Sequence, residues 1–418
     1  MSSNVSPDHG AAQADWTFSP SPKIGPAFSR TVPPGDTAVR LAPVLGRLPV
    51  TRVSDLTPLD SIRLPVFSAV TPLARDLTTH MGKGPDAVSA RVSALMEAVE
   101  RVSAETAPPG STRRARFADL PPGAAVDPES LDLPTDSLYA PDREITWIES
   151  FDLLAGRPVL LAADLALNPP REGLLQEVDT NGLAAGNTRL EAVVHALSEA
   201  IERDAISQAE LIVHFGDPAD LRPPGHEVDP ATLPAAARSW VERLLGAGLD
   251  VTVQDITTDL GVATFCATVI DYSFPSPAGP ITLHTPGWGA AVNAEAAALR
   301  AVTEAVQSRL GAVQRARDSF NVFHTGARRA SRSERLRRLQ ASRRLPFGRT
   351  PSFESLDLRA DLEHLLGCLA AAGLDRVVVT DLTRPDLGIP VVRVRVPGLA
   401  CYSVNRRRIG WRCLRHLL

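Results

Sequence analysis

One octapeptide occurs twice in this chain, and its repetition constrains the fold more than any other feature. Ala94-Leu-Met-Glu-Ala-Val-Glu-Arg101 matches Ala196-Leu-Ser-Glu-Ala-Ile-Glu-Arg203 at six of eight positions. Each copy presents Glu-x-x-Glu-Arg at the i, i+3, i+4 spacing of a helix face. The second copy closes the stretch Asn181–Arg203, NGLAAGNTRLEAVVHALSEAIER, a glycine-containing turn that runs into a helix. At about 100° per residue, Glu191, His195, Glu199 and Glu202 fall on one narrow face. Leu190, Val194, Leu197 and Ile201 form a separate apolar stripe. Glu191 to Glu202 spans roughly 16 Å at 1.5 Å rise per residue, about the length of an extended nucleotide. Like charges on one face repel unless a cation lies between them, so a hard metal such as Mg2+ suits the row. A solvated carboxylate row on an ordinary surface helix is the alternative. A weaker third copy reads Ala301-Val-Thr-Glu304-Ala-Val-Gln307-Ser308-Arg309.

A second, independent duplication relates 246–269 to 371–396. Each reads Ala-Gly-Leu-Asp, a strand, Asp-[Ile/Leu]-Thr, a short turn and a return strand. Connections this short favour antiparallel hairpins over parallel crossovers. Further strands are predicted over 50–72 and 145–165, the latter as a hairpin around Ala155-Gly156. Long Ala-rich helices are predicted over Asp86 to about Ala104, from the Asn181 turn onward, and over 290–313. The fold class expected is therefore α+β, with duplicated antiparallel β-sheets packed against long helices. Residues 1–49 form a variable Pro-rich arm, its first 35 or so residues loosely packed, and 50–418 a single domain with internal duplication. Thr37–Ala42 is predicted as a short helical turn capped by Asp36 and stopped by Pro43.

With 418 residues the chain can bury a large core. A net charge of -4 gives no electrostatic case for nucleic-acid binding. Cys266, Cys368, Cys401 and Cys413 are scattered without a CxxC pair, so reduced thiols in a cytoplasmic protein are expected. There is no signal-peptide pattern and no run of 18 apolar residues, hence no expected membrane span. A dense arginine run (Arg328, Arg329, Arg332, Arg335, Arg337, Arg338, Arg343, Arg344) could grip an acidic leader peptide, with a solvated helix or loop as the commoner reading.

Gly82-Lys83-Gly84 followed by SAxxEAxER, then NGLAAGNTxxEAxxxALxEAIERDA, then EAxQSR, resembles the YcaO family of ATP-dependent enzymes that modify peptide backbone amides. The resemblance covers residues 50–418, with the motifs in family order. It implies ATP bound between helices and Mg2+ held by glutamates, here Glu97, Glu100, Glu191, Glu199 and Glu202. Asn187 and Arg203 would contact the phosphates, Ser93 would touch the nucleotide, and Gln307 and Arg309 would complete the phosphate side. Lys83, between two glycines, is a candidate phosphate ligand, with a glycine-flanked turn and a solvated lysine as the alternative. Ala185 departs from the serine of some members. His195 lies on the acidic face and is read as a structural neighbour, so no catalytic base is assigned.

The chemistry so implied is activation of a peptide amide by O-phosphorylation as a nucleophile adds to the carbonyl. A Cys, Ser or Thr side chain would give an azoline and an external sulfide equivalent a thioamide. The ending RRRIGWRCLRHLL lacks the proline-rich tail of azoline-forming members. VTRVSDLTPLDSIRLPV and LGIPVVRVRVPGL look like the TfuA-associated, thioamide-forming branch, although Pro58 and Arg63 stand where glycine is usual. A thioamide is thus the expected product, an azoline the alternative, and a non-catalytic nucleotide-binding scaffold a third. Expected partners are a precursor peptide and a TfuA-like or leader-binding protein. A homodimer would be compatible with the sequence.

Overall fold

The computed structural model describes residues 16–215, 225–275, 279–314 and 344–418. In chain order come α1 (Pro34–Leu41), β1 (Arg52–Asp55), β2 (Val66–Val70), β3 (Thr79–Lys83), α2 (Ala87–Ser103), β4 (Thr112–Arg116), β5 (Glu144–Asp152), β6 (Arg157–Ala162), α3 (Ala163–Ala166), β7 (Leu183–Ala185) and α4 (Arg189–Phe215). Then follow β8 (His226–Val228), α5 (Ala235–Gly246), β9 (Asp250–Asp255), β10 (Thr264–Phe274), β11 (Ile281–Ala290), α6 (Ala294–Gln314), β12 (Arg344–Leu345), α7 (Leu358–Ala371), β13 (Val378–Asp381), β14 (Val391–Arg395) and α8 (Trp411–Leu414). Among the described residues the strands form three sheets, in the orders β1-β2-β3, β11-β10-β9-β8-β12 and β4-β5-β13-β14-β7, with β6 beside β5. Among the described residues no helix is long and apolar enough to cross a membrane.

The expected α+β class with antiparallel sheets is the observed one. Both duplicated hairpins form, with Phe265 opposite Asp255 in β9–β10 and Asp381 opposite Val392 in β13–β14. The predicted 145–165 hairpin is β5–β6, and Arg52 faces Val70 across β1–β2. Asp86 caps α2 by accepting from the Ser89 N–H at 2.8 Å, as its residue type favours. The short helix near Thr37 begins earlier than expected, at Pro34. Proline fits a first helical position, where its missing N–H costs nothing.

Each acidic helix backs onto its own apolar cluster. Leu95, Val99 and Val102 of α2 pack with Trp147 and Leu161. Val302 and Val306 of α6 pack with Val269 and Val241. Val194, Leu197 and Ile201 of α4 pack with Val379, Val392 and Leu365. The glycines around Lys83 are explained by this packing. A Cβ on Gly82 would stand 2.0 Å from the Ala94 nitrogen, and one on Gly84 would stand 2.4 Å from the Ser89 Cβ. Gly287 and Gly289 of β11 press on α6 in the same way, at 2.0 Å from the Ala305 nitrogen and 2.2 Å from the Ala297 oxygen. The helices lie almost on the strand backbones, and Lys83 and Trp288, each between two such glycines, are left to line the opposite side.

The described part of the N-terminal arm differs from the loose packing expected. The Lys23 ammonium is buried against Asp361 at 2.8 Å, and its backbone N–H donates to the Leu356 carbonyl. A buried ion pair ties the arm to α7, a contact that Pro and Ser richness could not reveal. Of the arginine run only Arg344 lies within the described residues, where it pairs with Glu227.

Candidate functional site

The faces of α2, α4 and α6 turned away from their apolar clusters converge on a cavity of about 1410 Å3. The start of α4 is fixed by a hub of buried arginines. Arg393 donates to the carbonyls of Ala166, Asp179 and Asn181, while Arg395 and Arg408 pair with the Asp179 carboxylate at 3.0 and 2.6 Å. Although burial alone would raise the Asp179 pKa, these arginines hold it well below the usual carboxylate range. Gly182, at φ +71°, lets the turn run so close to β14 that a Cβ would stand 2.3 Å from the Val394 oxygen. The Thr188 hydroxyl then accepts the Glu191 N–H at 3.1 Å and caps α4.

Lys83, Ser93, Glu97, Glu100, Asn187, Glu191, Glu199, Arg203 and Gln307 all line the cavity. Three carboxylates are steadied by strand N–H groups: Glu97 accepts from Met81 at 3.0 Å, Glu100 from Ala185 at 3.2 Å and Glu202 from Ala290 at 3.0 Å. Lys83 reaches Glu304 at 3.1 Å, and Gln307 donates to the Met81 carbonyl at 3.0 Å. Arg203 lies 3.8 Å from Glu199 and sits over the Trp288 ring at 5.9 Å. Burial pushes Glu100 up to about 8, with Glu199 and Glu97 adding to the shift and Arg101 opposing it. Burial likewise pushes Glu199 up to about 7, Arg203 opposing and Glu202 reinforcing. Glu202 is raised by burial and by Glu304, whereas Lys83 and Arg203 outweigh burial at Glu304 and hold it below its ordinary value.

Two expected ligands are engaged by other partners, and a third, Glu202, is buried against the Ala290 N–H without lining the cavity. Arg309 pairs with Asp271 at 2.7 Å and Asp60 at 3.5 Å, against the Phe274 ring, and does not line the cavity. It stands two residues beyond Gln307 on α6, about 200° around the helix. Glu191 is filled by protein donors. One oxygen accepts from the Thr31 N–H and hydroxyl, both at 2.6 Å, and the other from the Asn187 N–H at 2.7 Å and side-chain amide at 3.1 Å. A carboxylate offers about four lone-pair sites, so nothing remains for a cation in this arrangement. Asn187 is correspondingly engaged with Glu191. Thr188-x-x-Glu191 reads as a capping box, which is the signal that could have reassigned this glutamate.

Other cavity residues carried little sequence signal. Arg300 stands one turn before Glu304 on α6, and Arg30 enters from the arm. Glu304, in the third repeat copy, lines the cavity as well.

The remaining carboxylates fit a hard divalent cation. They are oxygen donors, and the raised values of Glu100, Glu199 and Glu202 mark negative charge short of compensation. Among the described residues no three acidic, histidine or cysteine side chains gather about one point.

The family model described as YcaO cyclodehydratase, ATP- and Mg2+-binding, matches residues 81–400. An uncharacterised protein of Methanothermobacter thermautotrophicus is 37% identical, over 92% of this chain and 98% of its own length. An uncharacterised protein in the tfuA 3′ region of Rhizobium leguminosarum bv. trifolii is 33% identical, over 88% of each chain. Among solved structures, the YcaO protein of Methanopyrus kandleri bound with AMPPCP and Mg2+ superposes with a TM-score of 0.69 at 26% identity, covering 91% of this chain and 95% of that one. A heterocyclase in complex with substrate and cofactor superposes at 0.75 and 22% identity, over 92% of this chain but only 54% of that one, and shares the fold. The chain belongs to the YcaO family, whose domain binds ATP and Mg2+.

Proposed function

We propose that this chain is an ATP-dependent enzyme that activates a backbone amide of a ribosomally made peptide by O-phosphorylation, and that the product is a thioamide formed with a TfuA-like partner. The observation that carries the enzymatic reading is the cavity itself: sister helices bury repeated carboxylates beside a loosely held Arg203. Bound Mg-ATP would supply the phosphoryl group that turns the amide oxygen into a leaving group. Glu97, Glu100, Glu199 and Glu202, with Glu304, would hold Mg2+ through their oxygens. Lys83, Arg203 and Gln307 would orient and neutralise phosphate oxygens, and Ser93 and Asn187 would contact the nucleotide. Catalysis by the protein is then positioning and charge compensation inside a partly closed, low-dielectric cavity. Glu191 would join the metal set only by giving up Thr31.

The thioamide branch is favoured by the tfuA-region relative and by the motifs at 50–66 and 387–399. Phosphate release on mixing the protein with ATP, a candidate peptide and a TfuA-like protein tests the reading. Peptide-dependent release is expected, and its absence with every cognate partner would point to a non-catalytic scaffold. Product mass then decides the branch. Replacement of oxygen by sulfur adds about 16 Da per site, and ring closure to an azoline removes about 18 Da.

A further inference from the structure

Residues 24–33 form a strap along one wall of the cavity, anchored at both ends. Lys23 holds one end to Asp361, and Thr31 holds the other to Glu191 through two 2.6 Å hydrogen bonds. Between the anchors Arg30 enters the cavity. Its Nη1 donates to the Ser29 carbonyl at 3.2 Å, and its Nη2 lies 3.1 Å from His195 Nδ1. A guanidinium can only donate, so Nδ1 is the acceptor and His195 is the neutral Nε2–H tautomer. That state agrees with a His195 pKa held well below its ordinary value by burial and by Arg30, Arg300 and Lys83.

No ion pair of the described residues includes Arg30 within 4 Å; its attraction to Glu191 and Glu100 acts over a longer range. Glu191 is in any case already filled by Thr31 and Asn187. Burial opposes the charge on Arg30, and Arg300 adds like-charge repulsion. A cation desolvated in this way, with an imidazole lone pair fixing its plane, is costly until an anion meets it. Arg30 and Arg300 line the same cavity as Lys83, which already pairs with Glu304; such a set of cations suits a polyanion better than a single carboxylate, and the guanidinium fork matches phosphate oxygens.

We propose that Arg30 is a phosphate-binding residue of the nucleotide site, delivered by the strap, with His195 as its positioning residue. The inference rests on the ATP-binding reading. Because Arg30 and Thr31 are adjacent, the hydrogen bonds of Thr31 to Glu191 also fix where the guanidinium enters the cavity.

Calorimetric titration of the full chain with Mg-ATP and, separately, with adenosine tests this. Arg30→Ala should weaken ATP binding about 10- to 100-fold, as expected for losing a charge-assisted fork, and leave adenosine within about twofold. Arg30→Lys should fall between, retaining charge without the fork, and serves as the comparison if Arg30→Ala does not fold. His195→Phe should weaken ATP alone and add little to Arg30→Ala, since the two act as a unit. Wild-type affinity for ATP in the folded Arg30 variants would overturn the proposal, as would equal losses for ATP and adenosine. A wild-type chain that binds neither ligand would overturn the nucleotide reading itself.

Discussion

Helices α2 and α4 carry nearly the same octapeptide, yet their arginines are used differently. Arg101 is locked at 2.8 Å to Asp76, itself held by the Asn168 amide at 2.7 Å, and lies 3.8 Å from Glu97. Arg203 has its 3.8 Å approach to Glu199 and the Trp288 face, and exposes 31% of its side chain against 14% for Arg101. One copy of the motif therefore spends its cation on the fold. Both arginines line the cavity, but Arg203 keeps its guanidinium without a close ion pair. The carboxylates are more alike: burial raises Glu100 on α2 and both Glu199 and Glu202 on α4 above the ordinary carboxylate value.

The largest expected effect tests that likeness. Glu199→Ala/Glu202→Ala and Glu97→Ala/Glu100→Ala should each lower peptide-dependent phosphate release by more than about 100-fold, because removing transition-state charge compensation costs several kcal/mol. Normal turnover in either double variant would break the shared cage. Next, Arg203→Ala should cut turnover about 10- to 100-fold with little change in melting temperature. Arg101→Ala should instead lower the melting temperature by several degrees, since breaking a buried pair costs about 3 kcal/mol or more. The reverse pattern in a combined activity and thermal-melt comparison would invert the assignment.

The smallest effect concerns pH. Glu100 and Glu199 have folded-state values of about 8 and about 7, above their ordinary 4.5. From about pH 5 upward the unfolded chain has released these protons and the folded chain retains them, so stability falls as pH rises. The loss levels off above about pH 8. In chelator-treated protein the melting temperature should decline through this window, and added Mg2+ should restore it most at the alkaline end. A flat profile in both conditions would show that the two carboxylates are not short of a cation.

Several features were legible from residue spacing. The separation of acidic and apolar faces on α2 and α4 follows from helical periodicity, and the hairpins at 250–274 and 378–395 follow from short connections between strands. Asp86 before the first apolar turn marked the start of α2. Gly82-Lys83-Gly84 was visible as a motif, but its cause was not, since the glycines answer to Ala94 and Ser89 on the helix that folds back over them.

The duties of individual charged groups were settled by contacts far apart in the chain. Glu191 shares a face with Glu199 and Glu202, yet its oxygens are filled by Thr31, 160 residues away, and by its own capping turn. Arg309 follows Gln307 closely but is carried round α6 to Asp271 and Asp60. Arg30, in a segment without periodicity, reaches His195 only because Lys23 and Thr31 pin the strap. Sequence by itself determined which helices form and which faces are acidic, because those follow from local backbone geometry. Only the tertiary structure decided which charges are consumed by the fold and which meet the cavity, because that depends on burial and on partners brought together from distant parts of the chain.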